Sequence, residues 1–249
     1  MTGGAGHIGR ATCRIMAKHN CNIVIADKDK AAAEAFTKTL ADDFKVDTLI
    51  LTEDLSDPAS FVTIHDLIEQ RFGGLDYLVN NAAFYDDVPG WGVPFEEEGY
   101  DAWLAVMKVN LLAPFFLVQS LAPLLRQSDR ASVVNISSIY GLVGPDHGLY
   151  AGTEMTNPAA YAASKGGLNQ VTTWLSTVLA PKIRVNTVTP GGIERGQDAQ
   201  FMERYNQKTP MKRMATEEDI AGAIEYLLLP ASRYVTGHNL VIDGGWTAW

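Results

Sequence analysis

Short, almost continuously apolar runs alternate along the chain with longer stretches in which apolar side chains recur every three or four positions. The runs cover residues 22–26, 46–51, 75–79, 132–136, 183–188 and 239–242. Apolar at consecutive rather than alternate positions, they predict parallel strands covered on both faces. The spans between them are long enough for crossover helices, predicted over 8–19, 28–44, 58–72, 97–126, 158–179 and 216–229. In the fifth, Leu168, Val171, Leu175 and Leu179 keep one apolar helical face. This alternation predicts an α/β chain with a doubly wound, mostly parallel sheet in a single domain, 1–249. Right-handed crossovers would gather the strand C-terminal ends along one edge, where such sheets bind ligands.

The first element breaks the pattern. A glycine-rich segment, Thr2-Gly3-Gly4-Ala5-Gly6-His7-Ile8-Gly9, begins one residue into the chain. Such a loop follows a strand, and only Met1 precedes it. That strand belongs in the middle of the sheet, where its loss would leave buried backbone groups of two neighbours unpaired. The expectation is a truncated or misassigned start, with the first central strand cut short.

Charge and composition narrow the function classes. Lys and Arg total 20 against 29 Asp and Glu, a formal net charge of −9. An acidic chain without a basic run is unsuited to nucleic acid or an anionic membrane surface. Its two cysteines, Cys13 and Cys21, are too few for a disulfide scaffold or a cysteine zinc site, and no metal site is expected. With no run of 18 apolar residues and no signal peptide, the chain reads as soluble and cytoplasmic.

Three segments carry candidate chemistry. Glycines at 3, 6 and 9 let backbone approach a pyrophosphate, and the helix they open offers free N–H groups and a positive dipole end. Asp27, closing the next strand, can accept both adenine-ribose hydroxyls and repel a 2′-phosphate, which favours NAD over NADP. It could equally cap the helix that follows. Asp54-Leu55, after the next run, could meet the adenine amino group or form a turn. In Tyr161-Ala162-Ala163-Ser164-Lys165 the i, i+4 spacing puts phenol and ammonium on one helix face. The ammonium favours the phenolate, lowering a pKa of about 10 in water, so the phenol can exchange a proton with a carbinol.

Taken together with Asn80-Asn81-Ala82, Val109-Asn110, Asn135-Ile136-Ser137-Ser138, Pro190-Gly191 and Val241-Ile242-Asp243-Gly244-Gly245, these segments resemble the classical short-chain dehydrogenases/reductases along essentially the whole chain. The resemblance implies a Rossmann fold, a nicotinamide cofactor and a catalytic set of Asn110, Ser138, Tyr161 and Lys165, with Ser137 structural. It implies cofactor contacts from Gly3, Gly6, His7, Ile8, Gly9, Asp27, Asp54, Leu55, Asn81, Ala82, Tyr161, Lys165, Pro190, Gly191 and Ile193. Asn110 would position a water linking Lys165 to solvent. The implied function is hydride transfer between NAD and a secondary alcohol or ketone. Homodimers or homotetramers are implied through the 97–126 and 158–179 helices, with the tail 246–249 near another contact.

Departures from the family pattern leave alternatives. His7 stands where a glycine is usual, and the Gly3-x-x-Gly6-x-x-Gly9 spacing looks like the extended, epimerase-type branch, although 249 residues leave little room for its extra substrate region. A sugar epimerase is therefore one alternative; a catalytically silent NAD-binding scaffold, motivated by the short start, is another. The usual Thr after Pro190-Gly191 is absent. The stretch from Ser138 to Tyr161 is about ten residues longer than in many members and carries His147, Tyr150, Glu154, Met155 and Asn157. With Gly192-Ile193 it is similar to dehydrogenases of flagellin and surface-glycan modification, which points to a sugar or polyol-like small molecule. The substrate pocket is expected from 83–91, 147–157 and a polar lid around 194–210, with acidic and hydroxyl groups (Asp86, Asp87, Tyr150, Glu154) for a polyol. Arg195, Arg204 or Lys208 could instead meet a phosphate on it. Trp91, Trp103 and Trp246 to Trp249 are read as packing or interface residues.

Overall fold

The computed structural model describes residues 1–84, 93–153 and 155–249. In chain order the elements are α1 (His7–Lys18), β1 (Ile23–Ala26), α2 (Lys30–Phe44), β2 (Thr48–Leu51), α3 (Ala59–Phe72), β3 (Tyr77–Asn80), α4 (Tyr100–Met107), α5 (Ala113–Leu125), β4 (Ser132–Ile136), α6 (Ala159–Leu179), β5 (Arg184–Pro190), α7 (Ala199–Lys208), α8 (Glu217–Leu228) and β6 (Asn239–Ile242). All strand pairings are parallel, β1 with β2 and β3-β4-β5-β6 in that order. One apolar layer gathers side chains of α1, α2 and α8, including Met16, Phe36, Leu40 and Ile224. The other gathers α3, α5 and α6 through Ile64, Leu117, Leu121, Leu125 and Leu175. This is the three-layer α/β arrangement read from the alternation of runs, a Rossmann-like fold.

The first central strand is short, as the sequence predicts, and at Thr2 it forms an isolated bridge to Ala26. Met1, Thr2 and Gly3 lie between β1 and β3. The Ala26 amide donates to the Met1 carbonyl at 3.0 Å, the Gly3 amide to the Ala26 carbonyl at 2.8 Å and the Thr2 amide to the Val79 carbonyl at 3.0 Å. The Met1 ammonium donates to the Val24 carbonyl at 2.9 Å. Both neighbours therefore find backbone partners where the strands enter the glycine loop, satisfying groups that would otherwise be buried unpaired.

One prediction is corrected. The single helix expected over 97–126 is two α-helices joined by a widened π turn, Lys108–Leu112. The wide turn swings Asn110 inward, fully buried, a use such turns often serve at functional sites. The run Tyr100–Leu125 has the length and mean hydropathy (1.6 over its most apolar 18 residues) of a membrane span, beyond what the sequence reading anticipated. Its buried face, however, belongs to the core. The segment expected as a polar lid contains α7, capped by Asp198, which accepts from the Gln200 and Phe201 amides at 2.8 and 3.2 Å. Phe201 and Tyr205, one turn apart, are buried in a satellite cluster with Leu149 and Met214.

Candidate active site

A cavity of about 730 Å³ runs along the C-terminal edge of the strands, from the glycine loop at one end to Tyr140, Tyr150 and Phe201 at the other. Of the residues expected at the site, Gly3, Gly6, His7, Ile8, Asp27, Asp54, Leu55, Asn81, Ala82, Ser138, Tyr161, Lys165, Pro190, Gly191 and Ile193 line it. Gly9 and Asn110 do not line it and act from behind.

The loop is shaped by close approaches. Gly3 has φ +59°, and a Cβ there would sit 2.9 Å from Asn81 Nδ2. That amide donates to the carbonyls of Thr2 and Gly3, both at 3.1 Å, while Thr2 Oγ1 accepts from the Asn81 and Ala82 amides at 2.9 and 3.0 Å. A Cβ on Gly9 would lie 2.2 Å from the Gly3 carbonyl oxygen, so Gly9 serves helix-to-loop packing rather than ligand contact. Helix α1 begins after Gly6 with no side-chain cap and no acidic residue in its first turn, leaving its first amides and dipole end open to an anion. His7 is largely exposed, with Nδ1 3.6 Å from Glu217.

Asp27 sits at the end of β1, half-buried. Its Oδ2 accepts from the Ala5 amide at 2.9 Å and its Oδ1 from the Asp29 amide at 3.1 Å. It ties the glycine loop to the next strand while facing the cavity. It is not the helix cap: Asp29 accepts the Ala32 amide at 2.9 Å and caps α2. Asp54 is exposed on the cavity rim, with Oδ1 accepting the Ser56 amide at 2.8 Å.

The reacting end is built on α6 and the end of β4. Lys165 is 3% exposed, and its Nζ donates to the Ile136 carbonyl at 2.8 Å and lies 5.7 Å from the Tyr161 ring centre. Burial alone pulls its pKa down to about 8. Ser138 lies two residues past β4 and caps the following turn, its Oγ accepting the Tyr140 amide at 3.2 Å. Ser137 Oγ donates to the Lys165 carbonyl at 3.1 Å, a structural tie. Gly141, not anticipated from sequence, lets that turn close on α6: its Cβ would lie 2.7 Å from the Lys165 carbonyl carbon.

Asn110 braces the reverse side of this group. Its Oδ1 accepts the Phe84 amide at 2.7 Å, and its Nδ2 donates to the Phe84 carbonyl at 3.1 Å and to Ser164 Oγ at 3.3 Å. Ser164 Oγ donates to the Tyr161 carbonyl at 2.7 Å. Both amide hydrogens are thus engaged, and a lone pair on Oδ1 is what remains for a water.

At the far end, Pro190-Gly191-Gly192 receives α7. The Gly192 amide donates to Tyr205 Oη at 2.5 Å, and a Cβ on Gly191 or Gly192 would lie 2.7 or 2.9 Å from Tyr205 atoms. The Ile193 carbonyl accepts from Gln197 Nε2 at 2.6 Å. Burial pushes the Tyr205 phenol up. Tyr140, Phe201, Tyr205 and Met214 were missed in the sequence; the i, i+4 pair Phe201/Tyr205 was the available signal.

Of the expected pocket segments, Ala83, Phe84, Tyr150, Met155, Thr156 and Asn157 line the cavity. Residues 85–92, with Asp86, Asp87 and Trp91, and Glu154 lie outside the described residues. Arg195 lines the cavity with Nε 3.5 Å from Glu217. Arg204 is engaged elsewhere, donating to the Leu149 and Ala151 carbonyls, and Lys208 pairs with Asp146. Both tie α7 to the 146–151 turn.

A family model described as enoyl-(acyl carrier protein) reductase matches residues 3–247. Post-translational flagellin modification protein A of Campylobacter coli is 29% identical, covering 99% of this chain and 96% of its own. Trans-4-hydroxycyclohexanecarboxylate dehydrogenase of Sinomonas cyclohexanicum is 31% identical over 100% of this chain and 92% of its own. A gluconate 5-dehydrogenase from Burkholderia cenocepacia, solved with NADP and tartrate, superposes with a TM-score of 0.84 at 28% identity, covering 100% of this chain and 94% of its own. Full-length likeness of sequence and fold, together with the arrangement of Tyr161 and Lys165 on one cavity, leads to one conclusion: the chain belongs to the classical short-chain dehydrogenase/reductase family of nicotinamide-dependent oxidoreductases.

Proposed function

We propose that the protein transfers a hydride between NAD and a secondary alcohol or ketone of a sugar- or polyol-like substrate. The observation that carries this reading is the Tyr161–Lys165 pair on the same cavity as the open N-terminus of α1. The residues present fit a dinucleotide. Gly3 gives the close backbone approach, the first amides of α1 suit the pyrophosphate, and Asp27 and Asp54 would take the adenosine end. Tyr161, Lys165, Pro190, Gly191 and Ile193 would hold the nicotinamide riboside; when bound, the nicotinamide accepts or supplies the hydride.

In this reading Tyr161 Oη takes the carbinol proton or returns it to the carbonyl oxygen. Lys165 favours the ionised phenol through its charge and would hold the nicotinamide ribose. Ser138 Oγ orients the substrate oxygen where negative charge develops. Asn110 keeps the α4–α5 junction and residue 84 in register with Tyr161 through Ser164, with one lone pair for a relay water. The preference for NAD rests on the Asp27 carboxylate, which opposes a 2′-phosphate. Pairing of Met1–Gly3 with both neighbours holds the loop together and weakens the case for a silent scaffold.

Tyr161→Phe is expected to lower turnover by about 10³-fold, the usual worth of a general acid/base, with NADH binding by fluorescence titration retained. A variant that keeps wild-type turnover refutes the assignment. Assembly into a homodimer or homotetramer is proposed through α4–α6, where Leu104, Leu112, Phe116, Trp174 and Val178 stand exposed. A cytoplasmic location is the companion expectation.

A further inference from the structure

Beyond Tyr161 and Ser138, the substrate end of the cavity holds polar groups of one kind. Tyr140 and Tyr150 are hydrogen-bonded to each other through their hydroxyls. Asn157 lines the same cavity with Oδ1 out of solvent and without a hydrogen-bond partner among the described residues. Met155, Phe201 and Tyr205 supply apolar wall, the Tyr150 ring lying 5.4 Å from that of Phe201. Burial pushes both the Tyr140 and Tyr150 phenols up, so they are neutral at physiological pH. Each phenol has one O–H, and the mutual bond uses one of the two. What remains is one phenol O–H between them, the phenol lone pairs and the Asn157 amide, whose NH2 can donate and whose buried oxygen is the atom left without a partner.

That inventory sorts substrates by chemistry. A hydroxyl both donates and accepts, so it can satisfy Asn157 Oδ1 and a phenol together. A carboxylate or phosphate only accepts, so it leaves the buried Asn157 Oδ1 without the donor it lacks. Nor do the cations compensate. Among the described residues, Lys165 is bonded to the Ile136 carbonyl, Arg195 faces Glu217, and Arg204 and Lys208 are engaged by carbonyls and Asp146. His7 and Lys28 belong to the glycine-loop end, and residues 85–92 and 154 include no Lys, Arg or His.

We propose that Tyr140, Tyr150 and Asn157 form a subsite for a second hydroxyl beside the reacting carbinol, so that the enzyme selects an uncharged polyol or sugar ring and discriminates against carboxylates. The inference rests on the oxidoreductase reading of this same site. It separates this chain from a relative named for a hydroxycyclohexanecarboxylate.

The test compares kcat/KM for NAD-linked oxidation of cis-cyclohexane-1,2-diol, cyclohexanol and trans-4-hydroxycyclohexanecarboxylate by the wild type and by Tyr140→Phe, Tyr150→Phe and Asn157→Leu. The wild type is expected to prefer the diol to cyclohexanol by about tenfold, and each variant to lose most of that ratio, one hydrogen bond's worth. A preference for the carboxylate, or a diol ratio unchanged in all three variants, overturns the subsite. If none of the three alcohols is oxidised, the oxidoreductase reading falls. Ligand-observed NMR then still judges the subsite: myo-inositol binding that weakens in the variants supports it, and stronger binding of cyclohexanecarboxylate refutes it.

Discussion

Lys165 combines a demand of catalysis with a cost to the fold, and replacing it by methionine separates the two. The side chain is 3% exposed, its hydrogen bond is to the Ile136 carbonyl, and burial is the sole cause of the fall in its pKa from 10.5 to about 8. Keeping the ammonium charged at pH 7 therefore costs the folded state about 3 kcal/mol, at about 1.4 kcal/mol per tenfold change in proton affinity. Lys165→Met removes that charge with little change of shape but leaves the Ile136 carbonyl without its partner, worth about 1–2 kcal/mol. The expected net gain is about 1–2 kcal/mol, or about 2–8 °C in Tm for a domain of this size. The sign of the pH dependence follows from a folded pKa below the unfolded one. The penalty is complete below about pH 8 and is relieved as pH rises towards 10.5, because the unfolded chain there binds the extra proton. Urea unfolding of both proteins at pH 7 and pH 10, followed by circular dichroism, should show the variant more stable at pH 7 and the gap narrowed at pH 10. Turnover should be lost at both. A wild type more stable than the variant at pH 7, or a gap independent of pH, would refute the reasoning.

Three other outcomes are expected. Gly9→Ala places a methyl 2.2 Å from the Gly3 carbonyl oxygen, so the loop must shift, and NADH affinity by fluorescence titration should fall at least tenfold; an unchanged affinity would show that the loop yields without consequence. Asp27→Ser removes the carboxylate at the adenosine end and should move the NAD-to-NADP preference, measured as a kcat/KM ratio, towards NADP by about tenfold or more, about the worth of one charged contact; no movement would detach Asp27 from cofactor choice. Trp174→Glu places a charge on the exposed apolar face of α6, where the indole is 53% exposed. Sedimentation velocity should show a shift to smaller species, and an unaltered distribution would move the proposed interface elsewhere.

Much of the fold was written in the hydrophobic pattern. Doubly covered parallel strands need consecutive apolar residues, and 132–136 and 239–242 came out with the bounds read from sequence. The interruption at Lys108–Leu112 was illegible because its residues continue a helical apolar pattern; the π turn comes from burying the Asn110 amide against the Phe84 backbone, a contact 26 residues away in sequence. Helix α7 was hidden by its charged outer face, though Asp198 followed by Phe201 and Tyr205 encodes a capped helix with one buried stripe. The lining residues around Tyr161 and Lys165 followed from motif spacing. That Gly9 and Asn110 stand behind the wall did not, because spacing fixes order along the chain and not which atoms meet the opening.

The aromatic ladder from α7 to the chain end has a practical bearing. Trp246 stacks on Tyr205 with ring centres 6.1 Å apart, Thr247 is held by Asp243, and the Trp249 indole donates to the Lys208 carbonyl at 3.2 Å. The last residues are thereby harnessed to the roof of the compartment that Tyr205 helps to wall. Replacing Trp246 by alanine would loosen that roof, whereas the native indoles offer an intrinsic optical gauge of its position.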